Sequence, residues 1–337
     1  MYHLIKPILI SWEAKHIADY EKMNEIKSEN IINAVNYLKT AGSCTVSEIA
    51  EKCGISFPTA KNILNYAVDK KIAFESHTAP STGGRKAAVY KVNPEYCCRA
   101  YVIIENNTLI FRICDFTGRV CEETKREINL NNFIDDTTAE YNRLKKSRNV
   151  SALVMSLPCV VSNGEIKDWY YNPAYVGKNV SNLLSERLGI ACFVENDMKL
   201  AVLGRAEKYA NAKRSTVACV QFGHNGIGIG EYVNGKILRG MSDFAGEVGY
   251  IDDVTKSISS VRYCSKIIKN LIIFLNPEKI VFYTSQHQSN IEEIMKSATR
   301  ALPPYSVPEF EVSTDYIDDI NAGLKFISDE FAENKYF

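Results

Sequence analysis

The sequence predicts an α/β protein in which a small helical unit precedes a larger body with two lobes. Three observations support this fold class. Helical periodicity dominates residues 28–70, strand patterns follow Pro94, and helix and strand patterns alternate from Val150 onward. The predicted segments are an N-terminal helical leader over residues 1–27, a first folded unit over 28–94 and a body over 95–337.

Length, charge and cysteine content restrict the class of protein. With 337 residues and 46% hydrophobic composition, the chain can fill more than one core. Its 40 basic and 40 acidic side chains cancel, so any attraction to nucleic acid or to a membrane surface must be local. The ten cysteines form no regular framework, which predicts reduced thiols in the cytoplasm. No apolar run reaches the ~18 residues of a membrane span, and we expect no signal peptide.

Residues 28–70 predict three short helices separated by tight turns. The apolar face of the first helix consists of Ile31, Val35 and Leu38. Gly42 ends this helix, and the sequence Thr45-Val46-Ser47-Glu48 has the residues of a capping box for the second. Gly54 can then adopt the left-handed backbone conformation that ends the second helix, and Ser56 caps the third helix.

A hairpin is predicted directly after the third helix. Its strand patterns at residues 72–75 and 88–92 flank a polar, glycine-rich tip at 81–86. Residues 40–93 contain seven basic and four acidic side chains, a net charge of +3 that the neutral total hides. Helices, turn and hairpin in this order predict a winged helix-turn-helix domain, whose third helix enters the major groove of DNA.

The third helix and the tip supply the predicted DNA contacts. These are Ser56, Thr59, Lys61, Asn62, Asn65, Gly83, Gly84, Arg85 and Lys86. Asn is suited to adenine and Lys to guanine or phosphate, whereas the tip glycines allow close backbone approach and its cations can reach a phosphate or the minor groove. The alternative is a small helical domain whose charged face is only solvated.

The body predicts a mixed sheet covered by helices. Predicted strands lie at residues 100–104, 108–114, 120–128, 150–156, 190–194, 216–222, 279–283 and 310–313, with a hairpin at Asn234-Gly235. Predicted helices lie at residues 131–145, 198–209, 261–275, 290–301 and 317–332, and a further one at 12–26 in the leader.

Five short motifs occur in a fixed order along the chain. They are Ser81–Arg85, Glu195–Asp197, Gly226–Gly230, Asn234–Gly235 and Phe244–Gly249. In this order they resemble the ROK family, which contains repressors, open reading frames and sugar kinases, and the resemblance extends from about residue 26 to the end. It implies an actin-like, ribonuclease H-like ATPase fold with two lobes, and the N-terminal head marks the regulator branch.

The parts that a sugar kinase of this family needs are incomplete. Where the kinases have an Asp-x-Gly-Gly-Thr turn for the phosphates of ATP, this chain has Ile104-Glu105-Asn106-Asn107-Thr108, and Glu105 would repel a triphosphate. A later Gly-Gly pair that admits adenine is replaced by Tyr283-Thr284. Gly226–Gly230 resembles a second phosphate loop, but its glycines suit a tight strand pair better. We therefore predict no enzyme; in a kinase, Asp197 would be the base.

The sugar side of the resemblance is better preserved. It implies that Asn196, Asp197 and Glu247 bind sugar hydroxyls, because each hydroxyl both donates and accepts. It also implies contacts from Tyr250, which stands where the family has a zinc-binding His, and from Asn172 in an aromatic loop beside the sugar. Alternatively, Asp197 and Glu247 are relics that now tie the lobes together.

Neither a metal nor another cofactor is predicted. The resemblance places a zinc loop of cysteines after Gly249, but residues 251–258 contain none. Cys264 alone cannot close a tetrahedral structural site.

The sequence as a whole predicts a DNA-binding transcriptional repressor of the ROK type that senses a sugar or sugar phosphate without catalysis. We expect a cytoplasmic homodimer or higher homo-oligomer, because two heads then meet two half-sites on double-stranded DNA, and no membrane partner. Two alternatives stay open. One is a sugar kinase that phosphorylates a hexose with ATP, and the other is a ligand-free body that only pairs two DNA-binding heads.

Overall fold

The computed structural model of the protein describes most of the chain from Ser28 onward. The described residues are 28–78, 87–209, 214–223, 226–251, 260–284 and 290–336. The predicted leader, residues 1–27 with its helix, lies outside them. Within these ranges no helix is both long and apolar enough to cross a membrane.

Residues 28–92, here called the N-terminal unit, contain three helices and a small sheet. The elements are α1 (Ser28–Ala41), β1 (Ser43–Thr45), α2 (Val46–Cys53), α3 (Phe57–Asp69), β2 (Ala73–Thr78) and β3 (Ala88–Val92). The strands pair antiparallel in the order β1-β3-β2. The helices lie where the sequence predicts them. β1 was not predicted, because three residues are too short to carry a period of two.

Local side-chain chemistry determines the ends of these helices. The Thr45 hydroxyl accepts from the Glu48 amide at 3.3 Å, and the Glu48 carboxylate accepts from the Thr45 amide at 2.7 Å, so the predicted capping box is present. Gly54 ends α2 in the left-handed conformation, at φ 64°. The Ser56 hydroxyl accepts from the Thr59 amide at the start of α3. These caps fix the turn between α2 and α3.

The body, residues 95–336, contains helices, strands and short 3-10 turns. Its strands are β4 (Cys98–Glu105), β5 (Thr108–Cys114), β6 (Val120–Glu127), β7 (Val150–Leu157), β8 (Val160–Ser162), β9 (Glu165–Asp168), β10 (Ala191–Asn196), β11 (Thr216–Gly223), β12 (Gly226–Val233), β13 (Lys236–Ile237), β14 (Lys279–Thr284) and β15 (Glu309–Ser313). Its helices are α4 (Phe133–Lys145), α5 (Val180–Leu188), α6 (Asp197–Ala206), α7 (Val261–Leu275), α8 (Ile291–Thr299) and α9 (Tyr316–Tyr336). β8, β9 and α5 were not predicted.

Two five-stranded sheets form the body. The first has the order β10-β7-β4-β5-β6, in which β7 pairs parallel with β4 and β10, and β4, β5 and β6 form an antiparallel meander. The second has the order β13-β12-β11-β14-β15, in which β14 pairs parallel with β11 and β15. Each sheet is therefore a mixed sheet of an α/β fold.

Helices cover both faces of each sheet. α4 and α5 pack on the outer face of the first sheet, and α7 and α8 pack on the outer face of the second. α6 and α9 lie between the sheets, in one apolar cluster that includes Val154 of the first sheet and Val281 of the second. All ten residues of α6 are buried. The two central helices therefore join the two lobes.

Two glycines allow α6 and α9 to approach each other closely. A Cβ atom on Gly204 of α6 would lie 2.0 Å from the carbonyl oxygen of Asp319. A Cβ atom on Gly323 of α9 would lie 2.3 Å from the carbonyl oxygen of Leu200. Because both obstacles are backbone atoms of a packed helix, they cannot move aside without separating the helices.

One carboxylate connects the N-terminal unit with the body. Asp329 of α9 accepts from the Lys39 ammonium of α1 at 2.9 Å and pairs with the Arg99 guanidinium of β4 at 2.9 Å. Both cations also lie over the ring of Phe116, at 4.7 Å and 5.5 Å from its centroid. Because Arg99 is almost fully buried, its charge requires such a partner.

We expect that Gly323→Ala lowers the free energy of unfolding by about 1–3 kcal/mol, the usual cost of overpacking a core. Helix propensity alone predicts the opposite sign, since alanine favours a helix over glycine by ~1 kcal/mol. Urea denaturation followed by circular dichroism measures the difference. Gly249→Ala is the control, because a Cβ atom there meets nothing within 4 Å. If both variants have the same stability, the close approach of α6 and α9 is wrong.

Candidate functional site

A cavity of about 150 Å³ lies where the turn between β4 and β5, the start of α6 and the ends of β11 and β12 meet. Its polar wall residues are Glu105, Asn106, Asn196, Asp197, Gln221 and Glu247. Three residues predicted to bind a ligand, Asn196, Asp197 and Glu247, are therefore brought together on one wall. The cavity is the candidate functional site.

Asn196 ends β10 and caps α6. Its side-chain oxygen accepts from the Lys199 amide at 3.0 Å, and its side-chain amide donates to the Cys159 carbonyl at 3.0 Å. These bonds hold the start of α6 against the loop after β7. They leave one N–H of the Asn196 amide for a ligand.

Asp197 is the first residue of α6 and lies almost fully buried. Its carboxylate accepts from the Tyr316 hydroxyl at 2.8 Å and from the Met198 amide at 2.8 Å. Burial raises the pKa of Asp197 to about 7, and the charges of Glu105 and Glu247 raise it further against the two hydrogen bonds. Asp197 can therefore gain or lose a proton near neutral pH.

Glu247 follows a tight turn at Gly246. Gly246 has φ 87°, and a Cβ atom on it would lie 2.4 Å from the carbonyl oxygen of Ile229, so only glycine fits there. Burial raises the pKa of the Glu247 carboxyl, with further contributions from the charges of Asp168 and Glu231, while Lys199 opposes them. The glycine thus places a carboxylate on the cavity wall at close approach to β12.

A network of charges holds the loop that carries Glu247. Arg239 donates to Glu195 and, at 2.9 Å, to Asp243. The Lys199 ammonium donates to the Asp243 carbonyl at 2.6 Å, and the Ser162 hydroxyl donates to the Asp243 carboxylate at 2.7 Å. The loop is therefore tied to β8, β10 and α6 at one residue, Asp243.

Glu105 closes the opposite side of the cavity. Asn106 and Asn107, both left-handed with φ 47° and 62°, make the tight turn that ends β4 at Glu105. The side chain of Gln221 donates to the Glu105 carboxylate at 3.3 Å, and burial raises the Glu105 pKa. A third carboxylate thus stands where the resemblance implies the phosphates of ATP.

The glycine-rich stretch at residues 226–230 is the start of strand β12, and its first residues line the cavity. A Cβ atom on Gly228 would lie 2.9 Å from the Met198 side chain, and one on Gly230 would lie 2.1 Å from the Met198 carbonyl oxygen. The glycines therefore let β12 pack directly on α6. This agrees with the structural interpretation of the motif.

A family model described as the ROK family matches residues 117–257. Residues 117–257 therefore carry a ROK family domain, and the body around them is here called the ROK domain. The matched residues include the start of α6 with Asp197, the strand β12 and the turn at Glu247. The α/β fold matches that of ROK proteins, among them sugar kinases.

Three curated relatives resemble parts of the chain. An uncharacterized protein from Clostridium perfringens is 31% identical over 175 residues, 51% of this chain and 57% of that protein. The xylose repressor of Staphylococcus xylosus is 23% identical over 234 residues, 67% of this chain and 61% of the repressor. The N-acetylglucosamine repressor of Escherichia coli O6:H1 is 24% identical over 241 residues, 67% of this chain and 58% of the repressor. The chain thus spans less than two thirds of each relative.

Two solved structures share the fold. A ROK family transcriptional regulator, a homolog of the Escherichia coli MLC protein, superposes with a TM-score of 0.61 and 12% identity over 90% of this chain and 99% of the other. A ROK family glucokinase from Streptomyces griseus, solved with glucose and AMPPNP, gives a TM-score of 0.53 and 13% identity over 68% of this chain and 98% of the other. At these identities the similarity shows the fold alone.

Two predicted ligand contacts do not lie on the cavity wall of the ROK domain. Asn172 is 1% exposed, and its side-chain amide donates to the Leu130 carbonyl at 2.8 Å. Its side chain is therefore used to hold the loop before α4. Tyr250 is 61% exposed, and its hydroxyl donates to Asp168. Both positions correct the sequence-based expectation, because loop direction depends on tertiary packing.

Tyr283 is a core residue of the body. It is 1% exposed, and its hydroxyl donates to the Asp319 carboxylate at 2.6 Å. Arg205 of α6 pairs with the same carboxylate, which gives a buried cluster between β14, α6 and α9. Its ring packs in the apolar cluster between the two sheets and does not line the cavity.

Two residues of the site were not found from the sequence. Tyr316 contacts Asp197 across 119 positions of the chain, and Gln221 contacts Glu105 across 116. The polar Gln221 within the apolar strand 216–222 was a usable signal. No local pattern distinguishes Tyr316, because its role depends only on where α9 begins relative to α6.

Four of the nine residues predicted to bind DNA lie on α3. Lys61, Asn62 and Asn65 are exposed. Thr59 is half-buried, and its hydroxyl shares a hydrogen bond of 2.7 Å with the exposed Ser56. The remaining predicted residues, Gly83, Gly84, Arg85 and Lys86, lie outside the described residues.

A larger and more open depression of about 560 Å³ lies between α7 and α8. Its wall includes Arg262, Lys266, Lys269 and Glu293. None of these belongs to a predicted site. We treat the smaller cavity as the functional site because buried polar groups converge on it.

No metal site is found in the described part of the chain. There, no group of three His, Cys, Asp or Glu side chains could hold an ion. Cys264 is fully buried in the core beneath α7. Residues 252–259, where the resemblance implies a zinc loop, are not among the described residues.

We expect that Asp197→Asn flattens the dependence of stability on pH. Burial raises the pKa of Asp197 from 3.8 to about 7, so the folded state binds the proton more tightly than the unfolded state. The Asp197 carboxyl therefore makes its full contribution to the free energy of unfolding below about pH 4, and this contribution is lost as the pH rises to about 7. The asparagine side chain does not titrate, so it makes no such pH-dependent contribution. Relative to wild type, the variant should therefore gain about 2 kcal/mol between about pH 5 and about pH 8.

Urea denaturation at several pH values measures this gain. Asp318→Asn is the matched control, because Asp318 is exposed on α9. Parallel pH profiles for wild type and Asp197→Asn would contradict the buried, proton-binding state of Asp197.

Proposed function

We propose that the protein is a DNA-binding transcriptional repressor whose ROK domain senses a sugar or sugar derivative without catalysis. One observation carries the proposal. The chain combines a helical unit that exposes Lys61, Asn62 and Asn65 with a ROK domain whose cavity keeps Asp197 and Glu247. The names of two relatives, a xylose repressor and an N-acetylglucosamine repressor, support it.

In this proposal the N-terminal unit is a winged helix-turn-helix domain. Its order, α2, a turn at Gly54, α3 and the β2–β3 hairpin, is the order that this domain requires. α3 enters the major groove, where Asn62 and Asn65 read adenine and Lys61 reads guanine or a phosphate. Ser56 and Thr59 are assigned to phosphates at the start of α3. The hairpin tip, Gly83, Gly84, Arg85 and Lys86, is assigned to the backbone or the minor groove.

The cavity is proposed as the sugar site. Asp197 and Glu247 accept hydrogen bonds from hydroxyls, and the free N–H of Asn196 donates one. A polyol suits this wall because carboxylates and an amide converge on it. Binding would favour one arrangement of the two lobes, and the spacing of two DNA-binding heads in a cytoplasmic dimer would change with it.

Two features argue against phosphoryl transfer. Glu105 faces the region where the resemblance implies the phosphates of ATP, and like charges repel. Tyr283 fills a buried position on β14 where the kinases have glycine. Both would have to change before ATP could bind as it does in the family.

A sugar kinase is the second candidate. It is favoured by Asp197, because a carboxyl with a pKa of about 7 suits a general base at neutral pH. In that case Asp197 would deprotonate a sugar hydroxyl. A third possibility is a ligand-free ROK domain that only pairs the heads.

Substitutions on α3 test DNA binding. Fluorescence anisotropy on duplexes selected from a random pool should show weaker binding by Lys61→Ala at every sequence, with the salt slope reduced by about 1. Asn62→Ala should instead change the selected sequence, at a cost of about 1–3 kcal/mol for the preferred base. Lys296→Ala is the control, since Lys296 is an exposed helical lysine of the ROK domain. If Lys61→Ala and Asn62→Ala both bind like wild type, the head assignment fails.

A melting screen separates the three candidate functions. A ligand at 100 times its dissociation constant stabilises the folded state by about 2.7 kcal/mol. We expect stabilisation by a sugar, none by ATP with Mg²⁺, and no ADP release from any hexose tested. Turnover of a hexose would establish the kinase in place of the sensor, and no response to any sugar would favour the ligand-free body.

A further inference from the structure

The wall of the cavity is strongly acidic. Glu105, Asp197 and Glu247 all face it, and no lysine or arginine is among its described residues. The other polar side chains of the wall are the amides of Asn106, Asn196 and Gln221. A ligand in this cavity therefore meets up to three negative charges and no positive side chain from this part of the chain.

The cations beside the wall are already engaged. The Lys199 ammonium donates to the Asp243 carbonyl, and Arg239 pairs with Glu195 and Asp243. Glu231 adds a further carboxyl behind the wall, and burial raises its pKa to about 7. Lys199 lowers the pKa of Glu247, so the surroundings of the cavity compensate its negative charge only in part.

Hydrogen bonds within the chain occupy two of the amides at the start of α6. A helix N-terminus usually binds anions through free amides and the helix dipole. Here the Asp197 carboxylate accepts from the Met198 amide, and the Asn196 side chain accepts from the Lys199 amide. The Met198 and Lys199 amides are thus bonded to the chain itself.

The three wall carboxylates differ in their partners. Asp197 accepts from Tyr316 and Met198, and Glu105 accepts from Gln221. The carboxylate of Glu247 accepts no hydrogen bond from any described residue, although it faces the cavity. Glu247 is therefore the carboxylate that is open to a ligand.

We infer that the ligand of this cavity is a polyol with a positively charged amino group, an amino sugar, whose ammonium binds Glu247 and whose hydroxyls bind Asp197 and Asn196. The inference rests on the proposed role of the cavity as a sugar site. A charge-assisted hydrogen bond is about twice as strong as a neutral one, so the free amine is selected over a hydroxyl or an acetylated amine. A phosphate is rejected, because it would place further negative charge beside the wall.

Isothermal titration calorimetry on the full chain tests the inference with matched probes. Glucosamine, galactosamine and mannosamine are each compared with the parent hexose, the N-acetyl derivative and the 6-phosphate. We expect one of the amines to bind at least about tenfold tighter than its three counterparts, a difference of about 1.4 kcal/mol. Mg²⁺ and Mn²⁺ are titrated alone and should not bind in the cavity.

Glu247→Gln tests the position of the ammonium. It keeps the shape of the side chain and removes its charge, so the amine should lose at least about tenfold in affinity while the parent hexose changes less. Glu186→Gln, at an exposed position on α5, is the control and should leave both affinities unchanged. Melting curves verify that each variant is folded. An unchanged ratio of affinities in Glu247→Gln would overturn the assignment.

The pH profile of wild type gives a second, independent measurement. The preference for the amine should be greatest near neutral pH, because Glu247 and Asp197 take up protons at low pH and the amine loses its proton at high pH. The other titratable and charged groups near these two carboxyls are Glu105, Cys159, Asp168, Glu195, Lys199, Glu231, Tyr250 and Tyr316. A preference that does not vary with pH is incompatible with an ion pair.

The outcomes distinguish this inference from the proposed function. Tighter binding of a hexose, an N-acetylhexosamine or a sugar phosphate overturns the inference but leaves a sugar sensor. Binding of a divalent cation in place of the amine also overturns it. If no probe of the panel binds, both the inference and the sensing role fail.

Discussion

The contact between α6 and α9 is the constraint on which the rest of the structure depends. The two helices lie between the sheets, and Gly204 and Gly323 remove the side chains that would hold them apart. All of α6 is buried, so its position is determined from every side. Since Asp197 begins α6 and Tyr316 begins α9, the packing that closes the core also brings the Tyr316 hydroxyl to the Asp197 carboxylate. The packing of the core therefore also determines the geometry of the candidate site.

The same helix reaches from the cavity to the N-terminal unit. α9 contacts Asp197 through Tyr316 and contacts Lys39 and Arg99 through Asp329. At 1.5 Å per residue these two contacts are about 20 Å apart along the helix. A packed helix moves as a unit, because its neighbours leave no free volume. Any lobe movement that displaces α9 therefore acts on both contacts together.

The cavity keeps carboxylates at a cost to the fold. Burial raises the pKa of Asp197, Glu105 and Glu247, which means that each ionised carboxylate is less favourable in the folded protein than in water. Hydrogen bonds from Tyr316 and Gln221 offset part of this cost. Buried ionisable side chains with shifted pKa values destabilise a fold when they ionise, and they are characteristic of binding sites. This balance supports a ligand role over a purely structural one.

The sequence alone determined the local features of this protein. The caps at Thr45 and Gly54 and most of the longer helices and strands were predicted, because each depends on neighbouring residues and on hydrophobic period. Short elements such as β8 and β9 were missed, because three or four residues carry little pattern. The motif around Asp197 located the candidate site, but only the tertiary structure decided which other residues lie at it. It removed Asn172 and added Tyr316, because positions more than a hundred residues apart are brought together by packing and not by local sequence.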